Sequence, residues 1–374
     1  MNKKELNELR RRLMPEKCAI SKIYGCYVNG AKEIVSEVDI PLGAVSEDDA
    51  VSYLALLKKS LSGTFGKNLI DIVFSTQQVM DSEEHRLLSA LRESALEDTE
   101  VRQQFYRCVT EALDMDGENY VILLAHDTYD VPYRGKDGEK QADASDQVYS
   151  YILCSICPVK DSKPQLSYCA DEKNFRNRTV GRIAAAPVLG FLFPAFDNRQ
   201  ANLYNALYYT KSTSDLHQEF IDHVFHVEAP MSAEEQREVF FAALSEALGE
   251  DCGFPMVQAI HEQLREKIER HRESKDPEQL DISVTDIGRI LSDCGAAEVA
   301  VASFHDLCNQ QFGENAVLNP ENLINEKRFE IQAEGVKAVV DPDLSHLVEV
   351  QEVNGRTYIM LPADGTIDVN GVSI

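Results

Sequence analysis

Two apolar runs, Tyr120–Ala125 and Val148–Ile156, constrain this chain more than any other feature. They lie within YVILLAHDTYDVPYRGKDGEKQADASDQVYSYILCSICPVK and flank a polar, turn-rich segment, His126–Asp146. Short apolar runs bounded by turn residues read as buried strands, so the stretch predicts two core strands joined by a long loop.

The remainder is read around that pair. Residues 3–13 form a helix stopped by Pro15. Ala19–Val28 and Glu33–Ile40 alternate as strands about Asn29-Gly30, a hairpin signal that Ala31 and Lys32 lengthen slightly. Ser46 caps a helix whose first turn holds Glu47, Asp48 and Asp49, where the helix dipole favours acids. A strand at Asn68–Ser75 is followed by helices near 77–93 and 98–114. Further strands are expected at Gln165–Cys169, Val180–Ala185, Gly190–Phe196 and Asn202–Tyr209, with Pro187 and Pro194 limiting regular pairing. Helical patterns then cover 214–226, 232–248, 254–274, 284–293 and 297–311. A β-meander follows over Phe329–Ala333, Val336–Val340, Leu347–Val353, Thr357–Leu361 and Thr366–Val369. The class is therefore α+β: a mixed or antiparallel sheet with flanking helices, a helical segment, and a small C-terminal β-meander domain. The expected divisions are 1–212, an α+β domain; 213–279, a helical segment and linker; and 280–374, a helix pair with the meander.

Composition narrows the partners. A formal net charge of −26 repels phosphate backbones and anionic lipid. Nucleic-acid binding would therefore need a local basic patch. No apolar run approaches the roughly 20 residues that cross a bilayer, and MNKKELNELRRRL lacks the apolar core of a secretory signal. Nine cysteines without a regular framework point to free thiols in a reducing cytoplasm.

Each chemical motif competes with a plainer reading. His126 at a strand end suits a general base, with Asp127 or Asp130 as metal ligand or orienter, yet no nucleophile motif accompanies it. Asp127, Asp130, Asp137, Asp143 and Asp146 do not have calcium-loop spacing, and turn chemistry explains them. Cys154-x-x-Cys157 has redox spacing, but residues three apart on a strand face opposite ways, which favours packing thiols. His217, His223 and His226 share one predicted helix without a zinc motif, although 223 and 226 fall on one face. Neither a metal nor a cofactor is expected. Tyr129, Tyr133, Arg134 and Lys136 combine aromatic faces with positive charge, which suits contact with nucleic acid or protein.

The stretches RRRLMPEKCAISKIYGCYVN, LALLKKSLSGTFGKNLIDIVFSTQQVMDSEEHRLLSALRES and LLAHDTYDVPYRGKDGEKQADASDQVYSYILCSICPVK carry a resemblance. Over nearly its full length the chain resembles the bacterial family catalogued as domain of unknown function 4317, which implies no activity. In element order it is also similar to nucleoid-associated proteins of the NdpA type, through Ile72–Ser75, Tyr120–His126, Val148–Ile156, Val284–Phe312 and Lys327–Val369. That similarity implies nucleic-acid contact. The leading expectation is a non-enzymatic cytoplasmic binding protein, nucleoid-associated-like, whose partner is nucleic acid, another protein or a second copy of itself, and not a membrane. A metal-dependent hydrolase using the His126–Asp146 loop and a protein–protein interaction module are the alternatives.

Overall fold

The computed structural model describes residues 1–134, 140–161, 166–169, 173–177, 181–362, 365–369 and 371–373. The chain divides into two compact units, Met1–Ser232 and Ala233–Ile374, so the 213–279 segment is shared between them.

The first unit is built on an eight-stranded antiparallel sheet. Its strands in chain order are β1 (Lys22–Val28), β2 (Ile34–Pro41), β3 (Leu69–Val73), β4 (Asn119–Arg134) and β5 (Lys140–Asp161). The chain continues through β6 (Leu166–Cys169), β7 (Asn174–Asn177), β8 (Arg182–Ala184), β9 (Leu189–Phe193), β10 (Ala195–Asp197), β11 (Gln200–Asn202) and β12 (Asn205–Thr210). The spatial order is β2-β1-β4-β5-β9-β12-β3, with β8 also paired to β5. The expected core strands are thus direct neighbours, Tyr120 opposite Pro158 and Ala125 opposite Leu153.

Strand alternation sends the two faces into two separate cores. Ile122, Leu124, Ile152, Cys154, Phe191 and Tyr208 face one core. Against them pack α4 (Glu83–Glu93), α5 (Thr99–Ala112) and α6 (Gln218–Phe225), the last two through Phe105, Val109, Phe220 and Phe225. Leu123, Leu153, Cys157, Leu192 and Leu207 face the other, beneath α1 (Lys3–Arg12) and α2 (Glu47–Lys59), which contribute Leu6, Leu9, Leu54 and Leu57. Glycine lets α2 come close: a Cβ on Gly190 would lie 2.3 Å from the Cys154 carbonyl and 2.6 Å from Ser60 Oγ. Ser60 in turn hydrogen-bonds Ser155 across 2.7 Å.

The helix expected over 77–93 is two helices. α3 (Thr76–Asp81) ends where Ser82 turns extended, and the Ser82 hydroxyl accepts from His85 N to cap α4. Ser82 is a better cap than interior residue, so the chain breaks there.

In the second unit α7 (Ala233–Leu248), α8 (Phe254–Ser274), α9 (Val284–Asp293) and α10 (Glu298–Phe312) bury Phe240, Leu264, Ile287 and Phe304 in one core. The strands after it do not form a meander. Phe329–Ala333 pairs only with Val336–Val340, and Glu349–Val353 only with Arg356–Met360, among the described residues. A 3₁₀ segment, Pro342–Leu347, separates these hairpins and interrupts continuous pairing.

Candidate functional site

The segment expected to be a loop, as a contact surface or alternatively an active site, is strand through Arg134. β4 and β5 pair continuously along His126–Val131, with register shifts on either side of Pro132, which has no N–H for the ladder. β1 pairs with β4 only through Ala125, and β9 with β5 only from Ile152. Beyond that point β4 and β5 pair with each other alone, forming a ribbon.

Period-two alternation decides where the candidate residues go. Asp127, Tyr129 and Val131 point into the α1 core, whereas His126 lies on the opposite face and Asp130 is exposed. His126 and Asp127 therefore do not converge on one cleft. Tyr133 pairs with Gln141 and Arg134 with Lys140 in the backbone ladder, and Lys136 lies outside the described residues.

Asp127 is a buried structural carboxylate. It accepts Ala19 N at 2.7 Å, Thr128 N at 3.0 Å and the Tyr151 hydroxyl at 2.6 Å, with Arg12 3.8 Å away. Burial, followed by the charge of Asp127, raises the Tyr151 pKa, so this phenol remains a donor. Tyr129 is not a free stacking platform. The Arg12 guanidinium lies 4.1 Å from its ring centroid, and its hydroxyl donates to Glu8. Arg199 completes the network, with 2.6 Å to Glu8 and 3.1 Å to the Pro132 carbonyl. These charges fasten α1 to the ribbon's base. Across the sheet His126 shares a 2.8 Å hydrogen bond with Ser150, and burial lowers its pKa.

Cys154 and Cys157 lie on opposite faces, in different cores. Burial pushes the Cys157 thiol up to about 12 and raises that of Cys154, which makes both poor nucleophiles. The histidines near α6 are not aligned on a helix face. His217 and His226 are its left-handed caps, and His223 bonds the Glu219 carbonyl. Among the described residues no group of three His, Cys, Asp or Glu side chains could hold a metal ion, and no helix is long and apolar enough to cross a membrane.

Sequence reasoning missed two concavities in the first unit. A cavity of about 720 Å³ lies where β4 begins and β5 and β12 end, with Asp116, Glu118, Lys160, Lys211, Asp215 and His217 in its lining. Within its lining Lys160 is 3.7 Å from Glu118, and His217 Nδ1 is 3.7 Å from Asp215. The second, about 310 Å³, is an apolar groove beside α2. Both draw on residues far apart in sequence, so only tertiary pairing reveals them.

The C-terminal hairpins form a third feature. Val350, Val353, Tyr358 and Met360 remain exposed, Tyr358 at 47%, and each hairpin has two unpaired edges among the described residues. A family described as Domain of unknown function (DUF4317) has a model that matches residues 1–372, and the chain belongs to that family. No curated protein and no solved structure matches.

Proposed function

We propose that this member of the DUF4317 family is a non-enzymatic cytoplasmic binding protein that contacts other proteins through its C-terminal hairpins. The observation that carries this is the pair of two-stranded sheets with open edges and solvent-exposed Val350, Val353, Tyr358 and Met360. Isolated hairpins are marginal in water, and open edges recruit further strands. A partner that adds a strand supplies main-chain hydrogen bonds and covers the apolar side chains together. Glu349 and Glu352 stand beside Val350 and Val353 in the strand, so the fitting partner is an extended segment with basic side chains. Free thiols such as Cys26, Cys154 and Cys157 support a reducing compartment.

The test is capture with the full-length chain from its native host, nuclease-treated, with cross-links mapped by mass spectrometry. Cross-links to basic partner segments should fall within residues 329–373 and disappear in a Tyr358→Lys, Met360→Lys variant. Capture that this variant leaves unchanged would sink the reading.

The β4–β5 ribbon favours a second reading. From His126 to Arg134 it runs for roughly 25 Å at ~3.3 Å per residue, and two-stranded ribbons fit the major groove of DNA. The net charge of −26 opposes such binding. A low-salt mobility-shift assay with single- and double-stranded DNA and RNA decides it, and no shift with any of them eliminates nucleic acid as the partner.

A further inference from the structure

Among the described residues, α1 and α2 leave part of their sheet face uncovered, and the apolar groove lies there. Its floor is set by register. Val38 of β2, Gly25 of β1 and Leu123 of β4 form one cross-strand row, and Tyr27 and Val121 stand in the next. Gly25 lets the row close up, because a Cβ there would sit 2.8 Å from a Val38 methyl. Val159 and Ala184, paired between β5 and β8, extend the floor, while Tyr53 of α2 rises beside it.

Only one charged side chain lines this groove among the described residues, Arg182. It donates to the Tyr27 hydroxyl at 2.7 Å, with its guanidinium 5.8 Å from that ring's centroid. Asp161 is 4.0 Å away, and both side chains are more than half exposed. An ion pair this open holds its partners weakly, so the guanidinium can turn to another anion. The planar fork of an arginine matches a carboxylate in bidentate fashion.

We propose that this groove binds a free single-chain carboxylate amphiphile, with the aliphatic chain over Leu123, Val121 and Val159 and the head on Arg182 and the Tyr27 hydroxyl. The volume supports the class. About 310 Å³ holds one small ligand, whereas a helix about 10–12 Å across would not fit. The polarity supports it too: apolar walls with one polar end describe an amphiphile and not a sugar or nucleotide. The acidic surface beyond about 8 Å is screened at physiological ionic strength, so Arg182 and Asp161 set the local charge, and an incoming carboxylate takes the guanidinium from Asp161. This site is independent of the hairpin contact.

Calorimetric titration of the full-length chain with decanoate and with decanol tests the assignment. Decanoate should saturate at one site. Arg182→Gln, at an exposed position, should weaken decanoate by about tenfold or more, the scale of a charge-assisted hydrogen bond, and leave decanol unchanged. Ala184→Phe should exclude both by filling the floor. Absence of saturable decanoate binding overturns the proposal. Equal weakening of decanol by Arg182→Gln, or decanoate affinity that Arg182→Gln does not change, overturns the placement of the head group.

Discussion

The molecule uses β-structure in two opposite ways. In β5, β9 and β12 every strand has neighbours on both sides and a core on both faces, as Leu153, Cys154, Phe191 and Leu192 show. In the hairpins of 329–360 each strand has one neighbour among the described residues, and most side chains stay in water. The residue types hardly differ, since VKAVV and RTYIM are as strand-prone as LGFLF. What differs is cover. Burial comes from helices and strands distant in sequence, and among the described residues the hairpins have it at Phe329 alone, against Phe254 and His261 of α8, so their other apolar residues are available for contact.

Four measurements break or sharpen that contrast. The largest effect belongs to hydrogen exchange. Amides of Leu189–Phe193 should exchange only on global unfolding, and those of Glu349–Met360 through local opening, slower to faster by about three orders of magnitude or more. Comparable rates would break the comparison. Next, Phe191→Ala should cost about 3–5 kcal/mol by leaving a cavity, whereas Tyr358→Ala should fall within about 0.5 kcal/mol, both read from urea unfolding. Third, Asp127→Ala strands the Tyr151 hydroxyl and Ala19 N–H and should cost about 2–4 kcal/mol in the same assay. A value near zero would mean that the network does not fasten α1.

The smallest effect is a pH dependence. Burial lowers the His126 pKa below 6.5, opposed by Asp127 and reinforced by Arg92. The unfolded chain then binds the proton more readily, so this contribution is fully present above pH 6.5 and is lost as pH falls through the lowered folded value. Thermal unfolding at pH 7.5 and pH 5.5 should show a smaller drop in His126→Gln than in the parent. An equal drop assigns the acid sensitivity elsewhere, for example to His261, whose pKa burial also lowers.

Legibility in the sequence followed the range of the interactions involved. Local chemistry read well. The Asn29 turn closes as Lys32 N donates to the Asn29 carbonyl, with Lys32 left-handed, a slightly longer turn than a two-residue hairpin. Gly30 is needed there, because a Cβ would collide with the Gly117 carbonyl at 2.0 Å. The α+β class and the neighbouring core strands were equally readable from hydrophobic pattern. The ribbon was not, because polarity in His126–Asp146 outweighed its alternation. Yet Asp127, Tyr129 and Val131 continue the parity of Leu123 and Ala125, a period-two signal that reaches past the apolar run. The role of Asp127 was hidden for another reason. Its partners Ala19, Arg12 and Tyr151 come from two distant segments, and no local spacing announces them. The groove and the hairpins' exposure depend on what fails to cover them, which a linear pattern does not record.

The strand order carries a consequence for synthesis. β1 waits for β4, and β3, complete by residue 73, has its ladder partner only in β12, at 205–210. α1 waits longer than its length suggests, because Glu8 is held by Arg199. At an elongation rate of about 5–20 residues per second, the first helix and strands leave the ribosome roughly 5 to 40 seconds before these partners. Nascent chains halted before residue 199 should therefore present Leu6, Leu9 and the β3 edge to chaperones, and release by the chaperone should coincide with emergence of the Asn205–Thr210 segment.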